Sequence, residues 1–426
     1  MTDLNRIDIE SLCVQGGYQP KSGALRTLPI AQGTTYKYDD ADEVAELFDL
    51  KREGHLYTRI SNPTTAAFEE KIAQLEGGIG AVATASGQAA NLMAVLTITK
   101  AGENVVAMNN IYGGTYTLLG STLEKFGIEC RFVALNDFEA LDAAIDENTK
   151  LVFGETVGNP GVAVLDIEGA AEIAHAHDIP LVVDNTFATP YLCRPFRFGA
   201  DIVTHSASKY IDGHSFCMGG VVIDGGRFDW TGGKFPCLTE ADPNYHGLSY
   251  TETFGDAAYI TKARAVFLRD LGASLSPLHA ASFHKSLETL ALRMERHSAN
   301  ALEIAKYLAN HSKVEWVHYP HLPDSESYAL AQKYLPDGGS GVISFGVKGG
   351  LEETKAWING LEMVSLVVHV ADTRSHALHP ASMTHRQLSD EALKAAGISP
   401  NMVRLSVGIE KVDDIIRDLD ASFSKL

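Results

Sequence analysis

Residues 181–213, LVVDNTFATPYLCRPFRFGADIVTHSASKYIDG, constrain the fold more than any other stretch of the chain. Two apolar runs stand there, at 181–183 and 201–204. The first ends in Asp184-Asn185-Thr186, the second in His205-Ser206-Ala207-Ser208-Lys209-Tyr210. A core strand does not tolerate such polar clusters, so each run stops where the cluster begins. Short apolar runs separated by helical patterns predict parallel strands of an α/β sheet. Similar runs occur at 81–85, 104–108, 130–135 and 150–153, and a returning strand is expected at 219–223. Ligands of such sheets sit beyond the carboxyl ends of the strands. The polar residues just after these runs are therefore expected on one rim.

The rest of the chain is organised around that sheet. Residues 1–60 read as irregular, punctuated by Gly16-Gly17, Pro20, Gly23 and Pro29, with a helical stretch near 40–51. An arm with so little core of its own must pack on something. Asn62-Pro63 signals a turn, with Thr64 expected to cap a helix beginning at Thr65. Tyr57 and Arg59 point the same way if this piece is extended; from the residues alone they read as a surface turn with an ion-paired arginine. Between 225 and 259 periodicity fades, which usually marks a functional segment or an interface. Helical patterns then run from 259 to about 311, including 282–310. A smaller α/β unit closes the chain, with strands expected at 314–318, 341–347 and 402–406.

Composition removes several function classes. The formal charge of −19 argues against nucleic acid or an anionic membrane as partner. No apolar run approaches the ~20 residues that span a bilayer, and the first residues, charged throughout, do not form a signal peptide. Five cysteines without a CxxC pattern suggest reduced thiols in the cytoplasm. His175, His177, His376, His379 and His385 lack an HExxH or matched carboxylate pattern, so they are taken as structural or surface residues and no metal is expected. There is no G-x-S-x-G elbow and no dinucleotide-binding glycine fingerprint.

The strand ends carry the chemistry. Ser86-Gly87-Gln88 opens a helix after a strand, where free N–H groups favour a phosphate. Tyr112 precedes Gly113-Gly114 and can lie over a bound ring, or be an ordinary buried tyrosine. Asn159 before Pro160 is held extended, which suits a turn and equally suits aiming an amide at a ligand. Asp184 alone could be a helix cap and Lys209 alone a solvated lysine. Ser86, Tyr112, Asn159, Asp184, Ser206, Ser208 and Lys209 on one edge suit pyridoxal 5'-phosphate instead: a lysine for its aldehyde, an acid for its ring nitrogen and hydroxyls for its phosphate.

From about residue 27 to 410 the chain resembles the pyridoxal-phosphate enzymes of cysteine and methionine metabolism. The motifs that carry the resemblance are Tyr57-x-Arg59-x-x-Asn62-Pro63-Thr64, Ser86-Gly87-Gln88-Ala89-Ala90, Tyr112-Gly113-Gly114-Thr115, Asp184-Asn185-Thr186, Ser206-x-Ser208-Lys209-Tyr210, His379-Pro380-Ala381-Ser382-Met383-Thr384-His385 and Arg404-Leu405-Ser406-Val407-Gly408-Ile409-Glu410. The resemblance implies the α/β fold type I of pyridoxal-phosphate-dependent transferases. Its parts would be an N-terminal arm (1–61) reaching a neighbouring subunit, a large domain (62–268, with the 225–259 insertion) on a mostly parallel seven-stranded sheet, and a small C-terminal α/β domain (269–426).

It also implies roles. Lys209 bonds the cofactor, Asp184 pairs with its ring nitrogen and Tyr112 stacks on the ring and assists catalysis. Ser86, Gly87, Gln88, Ser206 and Ser208 hold the phosphate, joined by Tyr57 and Arg59 from a neighbouring subunit, with Tyr57 also near the substrate. Arg404 and Asn159 bind the substrate carboxylate, Asn159 touching the cofactor as well. A homotetramer of two site-sharing dimers is implied. The 225–259 insertion and Val370-Ala371-Asp372-Thr373-Arg374-Ser375 favour the O-acetylhomoserine sulfhydrylase branch, whose reaction is γ-replacement by sulfide or methanethiol. The alternatives are cystathionine γ-synthase or methionine γ-lyase chemistry. His369 departs from the branch's usual Asn, and Gly213-His214-Ser215-Phe216 from its usual Gly-His-Gly-Thr.

Overall fold

The structure, a computed structural model, describes residues 7–384, 386 and 397–426. His385 and the first six residues lie outside the described residues. Seven strands form the larger sheet: β1 (Gly80–Thr84), β2 (Asn104–Met108), β3 (Glu129–Val133), β4 (Thr149–Glu155), β5 (Leu181–Asp184), β6 (Ile202–His205) and β7 (Gly220–Asp224). Their order is β1-β7-β6-β5-β4-β2-β3. β7 runs antiparallel to both neighbours, and the remaining pairs are parallel. Six strands therefore point one way, and the turns after β1, β2, β4, β5 and β6 reach the same rim. Every residue of β2, β4, β5, β6 and β7 is buried. Helices cover both faces, so the strands read as continuous apolar runs rather than as alternation.

Two sequence expectations need correction. Thr64 does not cap the helix Pro63–Glu76; Asn62 does, accepting from the N–H groups of Thr64 (2.9 Å) and Thr65 (3.4 Å), with Pro63 in the first turn. Pro there loses nothing, because that N–H has no intrahelical partner. The Thr64 hydroxyl instead accepts from the Ala31 N–H (2.9 Å) and donates to the Pro29 carbonyl (2.8 Å), which fastens the arm to the helix. The 225–259 stretch is not without regular structure: it contains the short helices Pro236–Thr239 and Tyr250–Phe254 and a 3-10 turn at Pro243–Tyr245. Elements this short show no periodicity in sequence.

A second sheet is built from β8 (Val314–His318), β9 (Val342–Val347), β10 (Ser365–Leu366), β11 (His376–Leu378) and β12 (Met402–Ser406), in the order β10-β11-β12-β9-β8. The helix Leu290–Ala309 serves both cores. Leu290, Ala291 and Met294 pack with the large sheet, whereas Ala301, Ile304, Ala305 and Leu308 pack with the small one. That shared helix holds β12, and with it Arg404, against the rim of the large sheet. Among the described residues no helix is long and apolar enough to cross a membrane.

Candidate active site

The rim is knitted together from the strand ends. Asp184, the last residue of β5, is buried. Its carboxylate accepts from the Thr186 N–H (3.0 Å), the Thr186 hydroxyl and the Asn91 amide (3.2 Å). The Thr186 hydroxyl also accepts from the Ser206 N–H (2.8 Å), which joins the turn after β5 to the turn that carries Lys209. Asn91 reaches β6 as well, accepting from the Thr204 hydroxyl (2.6 Å). Asp184 is thus joined through Thr186 to the 206–209 turn.

The next group is the helix start after β1. Ser86 is the N-cap of the helix Gly87–Leu96, its hydroxyl accepting from the Ala89 N–H (3.2 Å). A Cβ on Gly87 would lie 2.6 Å from the Ser206 Cβ, so only glycine lets these two turns meet. The Gln88 side chain accepts from the Thr115 hydroxyl (3.1 Å), linking this turn to the one after β2. The Ser208 hydroxyl is occupied by the backbone of Gly219, donating to its carbonyl (3.2 Å) and accepting from its N–H (3.0 Å).

Tyr112 lies just after β2 and is not an ordinary buried tyrosine, being 48% exposed at the rim. Its ring passes so close to Gly114 that a Cβ there would sit 2.5 Å from the ring edge. Its N–H donates to the carboxyl of Glu155 (2.7 Å), the last residue of β4 and the register partner of Asp184. Burial, and then the charge of Asp184, push the Glu155 carboxyl well above the ordinary range. Glu155 is thus an acid whose proton is held more tightly than usual, bonded to the backbone of an exposed tyrosine.

The small sheet supplies the opposite wall. Arg404 on β12 is buried and donates to the Asn159 side-chain oxygen (3.0 Å) and the His369 carbonyl (3.0 Å). Burial lowers its guanidinium to about 10. The Lys209 Nζ lies 3.0 Å from the His369 Nδ1. Burial first, and then the charge of Arg404, lower the Lys209 amine to about 8. An amine in that range is partly neutral near physiological pH, as a nucleophile or proton carrier requires.

Tyr57 and Arg59 stay apart from this cluster. Tyr57 bridges to Thr35 in the arm, and both residues are exposed. The Arg59 guanidinium is not ion-paired among the described residues. It donates to the Arg269 carbonyl and stacks over the Tyr57 ring at 5.3 Å. The histidines considered as ligands are engaged elsewhere: His175 with Asp201 (2.8 Å), His177 with Asp142 (2.7 Å), His376 with the Arg374 carbonyl (3.0 Å) and His379 with Ser382 and the Pro400 carbonyl (both 2.8 Å).

Sequence reasoning missed Asn91, Thr186 and Glu155 as parts of the site. Asn91 left a trace as a lone amide within the small and apolar helix AANLMAVL, and Thr186 stood in the Asp184-Asn185-Thr186 motif with no role assigned to it. A buried pair behind the site was also missed: the His205 Nε2 lies 2.6 Å from the Glu76 carboxylate, which also accepts from the Asn185 amide (2.8 Å). It backs the residues next to Asp184 and Ser206.

These features fit pyridoxal phosphate. Buried charges without partners are costly. Among the described residues Asp184 has only neutral donors on its carboxylate, and Lys209 and Arg404 have only neutral acceptors. A ring nitrogen carrying a proton, an aldehyde and a substrate carboxylate would complement the three in turn. The glycine-opened helix start beside Ser206 leaves backbone N–H groups for a phosphate.

The fold and this rim define an enzyme of the pyridoxal-phosphate class. The chain belongs to the Cys/Met metabolism PLP-dependent enzyme family, whose model matches residues 10–424. It is 45% identical over 427 residues to the O-acetyl-L-homoserine sulfhydrylase of Leptospira meyeri, covering 98% of this chain and 97% of that protein. It is 46% identical over 413 residues to the homocysteine synthase of Schizosaccharomyces pombe, covering 96% of each. A crystal structure from Campylobacter jejuni, of a protein assigned as an O-acetylhomoserine (thiol)-lyase, matches with a TM-score of 0.95 at 37% identity, over 98% of this chain and 100% of that one. That protein carries N'-pyridoxyl-lysine-5'-monophosphate.

Proposed function

We propose that the chain catalyses γ-replacement on O-acetyl-L-homoserine in methionine biosynthesis. Sulfide displaces acetate to give L-homocysteine, or methanethiol displaces it to give L-methionine. The observation that carries this reading is the half-buried Lys209, its amine lowered by burial and by the charge of the buried Arg404, on a rim that also holds the buried Asp184. The names of the relatives supply the substrate class.

The cofactor, when bound, supplies an electron-accepting ring that acidifies the carbons of the attached amino acid. Asp184 keeps the ring nitrogen protonated. Lys209 holds the aldehyde and, once displaced by the incoming amine, moves the α-proton at its Nζ. Arg404 grips the substrate carboxylate by a two-pronged ion pair, with Asn159 beside it. Tyr112 covers the ring, and its hydroxyl assists Lys209 or the leaving acetate. Ser86, Gly87, Gln88 and Ser206 receive the phosphate, and Ser208 joins them by turning its hydroxyl away from the Gly219 carbonyl. Tyr57 and Arg59 complete that site in a neighbouring subunit, within a homotetramer built as a dimer of dimers. Exposed Leu25, Ile30 and Phe48 on the arm suit such a contact. The five free thiols suit a reducing compartment such as the cytoplasm.

Two measurements test the reading. Borohydride treatment of the purified yellow protein should fix the coenzyme to Lys209, and attachment elsewhere or none would sink it. Incubation of acetyl- and succinyl-homoserine with sulfide, methanethiol and cysteine should give homocysteine from the acetyl ester and sulfide. Cystathionine from cysteine would assign the synthase instead, and ketobutyrate from methionine alone the γ-lyase.

A further inference from the structure

His369 is one of two places where the chain departs from its sulfhydrylase-like pattern, and the structure connects the two. The imidazole Nδ1 lies 3.0 Å from the Lys209 Nζ. The ring stacks on His376, with centroids 5.9 Å apart and planes at 26°, and the residue's carbonyl accepts from Arg404 (3.0 Å). The loop after His369 is pinned at three points. The Ala371 N–H donates to the Ser406 hydroxyl (2.9 Å), the Thr373 N–H to the Gly213 carbonyl (3.0 Å), and the Asp372 carboxylate accepts from the Ser215 hydroxyl (2.7 Å). Arg374 closes on the same carboxylate (2.8 Å). Ser215, from the second departure, thereby latches the loop that aims His369.

We propose that His369 is a positioning residue for Lys209: its neutral imidazole accepts a hydrogen bond at Nδ1 from the lysine Nζ, and the Ser215–Asp372 latch holds it there. This rests on the reading of Lys209 as the cofactor-bearing amine and adds what orients that amine. The groups facing His369 are Lys209, His376, Asp372 and Arg404. Burial, and then the charge of Lys209, lower the ring to about 3, so it stays neutral while the lysine titrates. A ring that accepts at Nδ1 carries its proton on Nε2, a tautomer assigned from the contact. With one N–H committed to His369, the amine's lone pair is confined to the two remaining tetrahedral directions. An acceptor also favours the ammonium over the amine, partly opposing the burial that lowers Lys209.

The test uses the apoprotein. Acetic anhydride labels neutral amines, and mass spectrometry of the peptide containing Lys209 gives the labelling midpoint between pH 6 and 11. The wild-type midpoint should lie near 8. His369→Phe keeps a flat ring against His376 but removes the acceptor, and should lower the midpoint by about one pH unit, the worth of one hydrogen bond to a charged group. His369→Asn restores an acceptor oxygen and should bring it back. Ser215→Ala should shift it in the same direction as His369→Phe by a smaller amount. An unchanged or raised midpoint in His369→Phe overturns the proposal, and an unmoved Ser215→Ala overturns the latch. If His369→Phe does not fold, His369→Leu gives the same reading. The label reports the free amine, so the outcome does not depend on where borohydride fixes the coenzyme or which thiol reacts.

Discussion

Replacing Arg404 by methionine should leave the protein about as stable and almost inactive. The guanidinium is buried, and among the described residues its Nε has no partner and its hydrogen bonds go to neutral oxygens of Asn159 and His369. Burial lowers it to about 10. Measured from the ordinary guanidinium range, at about 1.4 kcal/mol per pKa unit, holding it charged costs folding about 3 kcal/mol. The sign comes from linkage: a base whose folded pKa is depressed costs stability at every pH below the folded value, and the cost fades as pH rises above about 10. Arg404→Met removes that cost but strands the Asn159 and His369 oxygens, at about 1–3 kcal/mol each. The two effects largely offset, leaving a net change between about 1 kcal/mol gained and about 3 kcal/mol lost. Catalysis has no such compensation. Losing two charge-assisted hydrogen bonds to the substrate carboxylate, at about 1.5–3 kcal/mol each, should lower kcat/KM by roughly 10²–10⁴-fold. Arg404→Lys keeps the charge without the fork and should fall between. Denaturation of the apoproteins at one fixed protein concentration, beside kcat/KM for the homoserine ester, tests both halves. A loss of much more than about 3 kcal/mol in Arg404→Met with an unaltered KM would make the guanidinium a strut and refute the reasoning.

The geometry supports three further expectations. Reconstitution of the apoprotein with pyridoxal phosphate should quicken as pH rises toward about 8, where the Lys209 amine loses its proton, and a rate flat from pH 6 to 9 would contradict it. Asn62→Ala removes the cap on the helix Pro63–Glu76 and the amide's bonds to the Ala31 carbonyl, Tyr36 and Thr58. It should cost about 2–3 kcal/mol in urea unfolding, and a loss below about 0.5 kcal/mol would show the arm holding without it. Glu155→Gln keeps an acceptor for the Tyr112 N–H without a group to ionise and should be more stable than wild type at pH 7, whereas Glu155→Leu strands that N–H and should be less stable than the Gln variant by about 1–3 kcal/mol. Because burial and the charge of Asp184 raise the Glu155 pKa, wild-type stability should fall as pH climbs above the ordinary glutamate value. Thermal midpoints across that window should show a shallower slope in the Gln variant.

The sequence by itself determined the strands and the polar turns at their ends. The runs at 104–108, 314–318 and 402–406 are strands with those same ends, although only the first, NVVAM, is buried throughout and almost wholly apolar, whereas VEWVH and MVRLS carry polar residues within the strand. In the larger sheet the polar clusters fall where the apolar runs stop, which puts Asp184, Ser206 and Lys209 at the strand ends or just beyond them. The helix cap was misread because Asn62 and Thr64 are equally able to cap, and only the hold of the arm on the Thr64 hydroxyl decides between them. β10 and β11 are two and three residues long, too short to carry a period.

Tertiary structure alone decided who meets whom. The placing of β7 between β1 and β6 brings Gly87 against Ser206, and no local pattern encodes strand order. Asn91 and Thr186 bind the acid to the lysine-bearing turn by bonds that cross between strands. The Glu155 pKa is raised because the residue is buried with Asp184 beside it in register. His369 meets Lys209 across 160 residues, carried there by a loop that Ser215 fastens. Periodicity and propensity act over a few residues and so are readable in order along the chain. Proximity between distant segments, and the protonation that it imposes, exists only once the two sheets have packed around their shared helix.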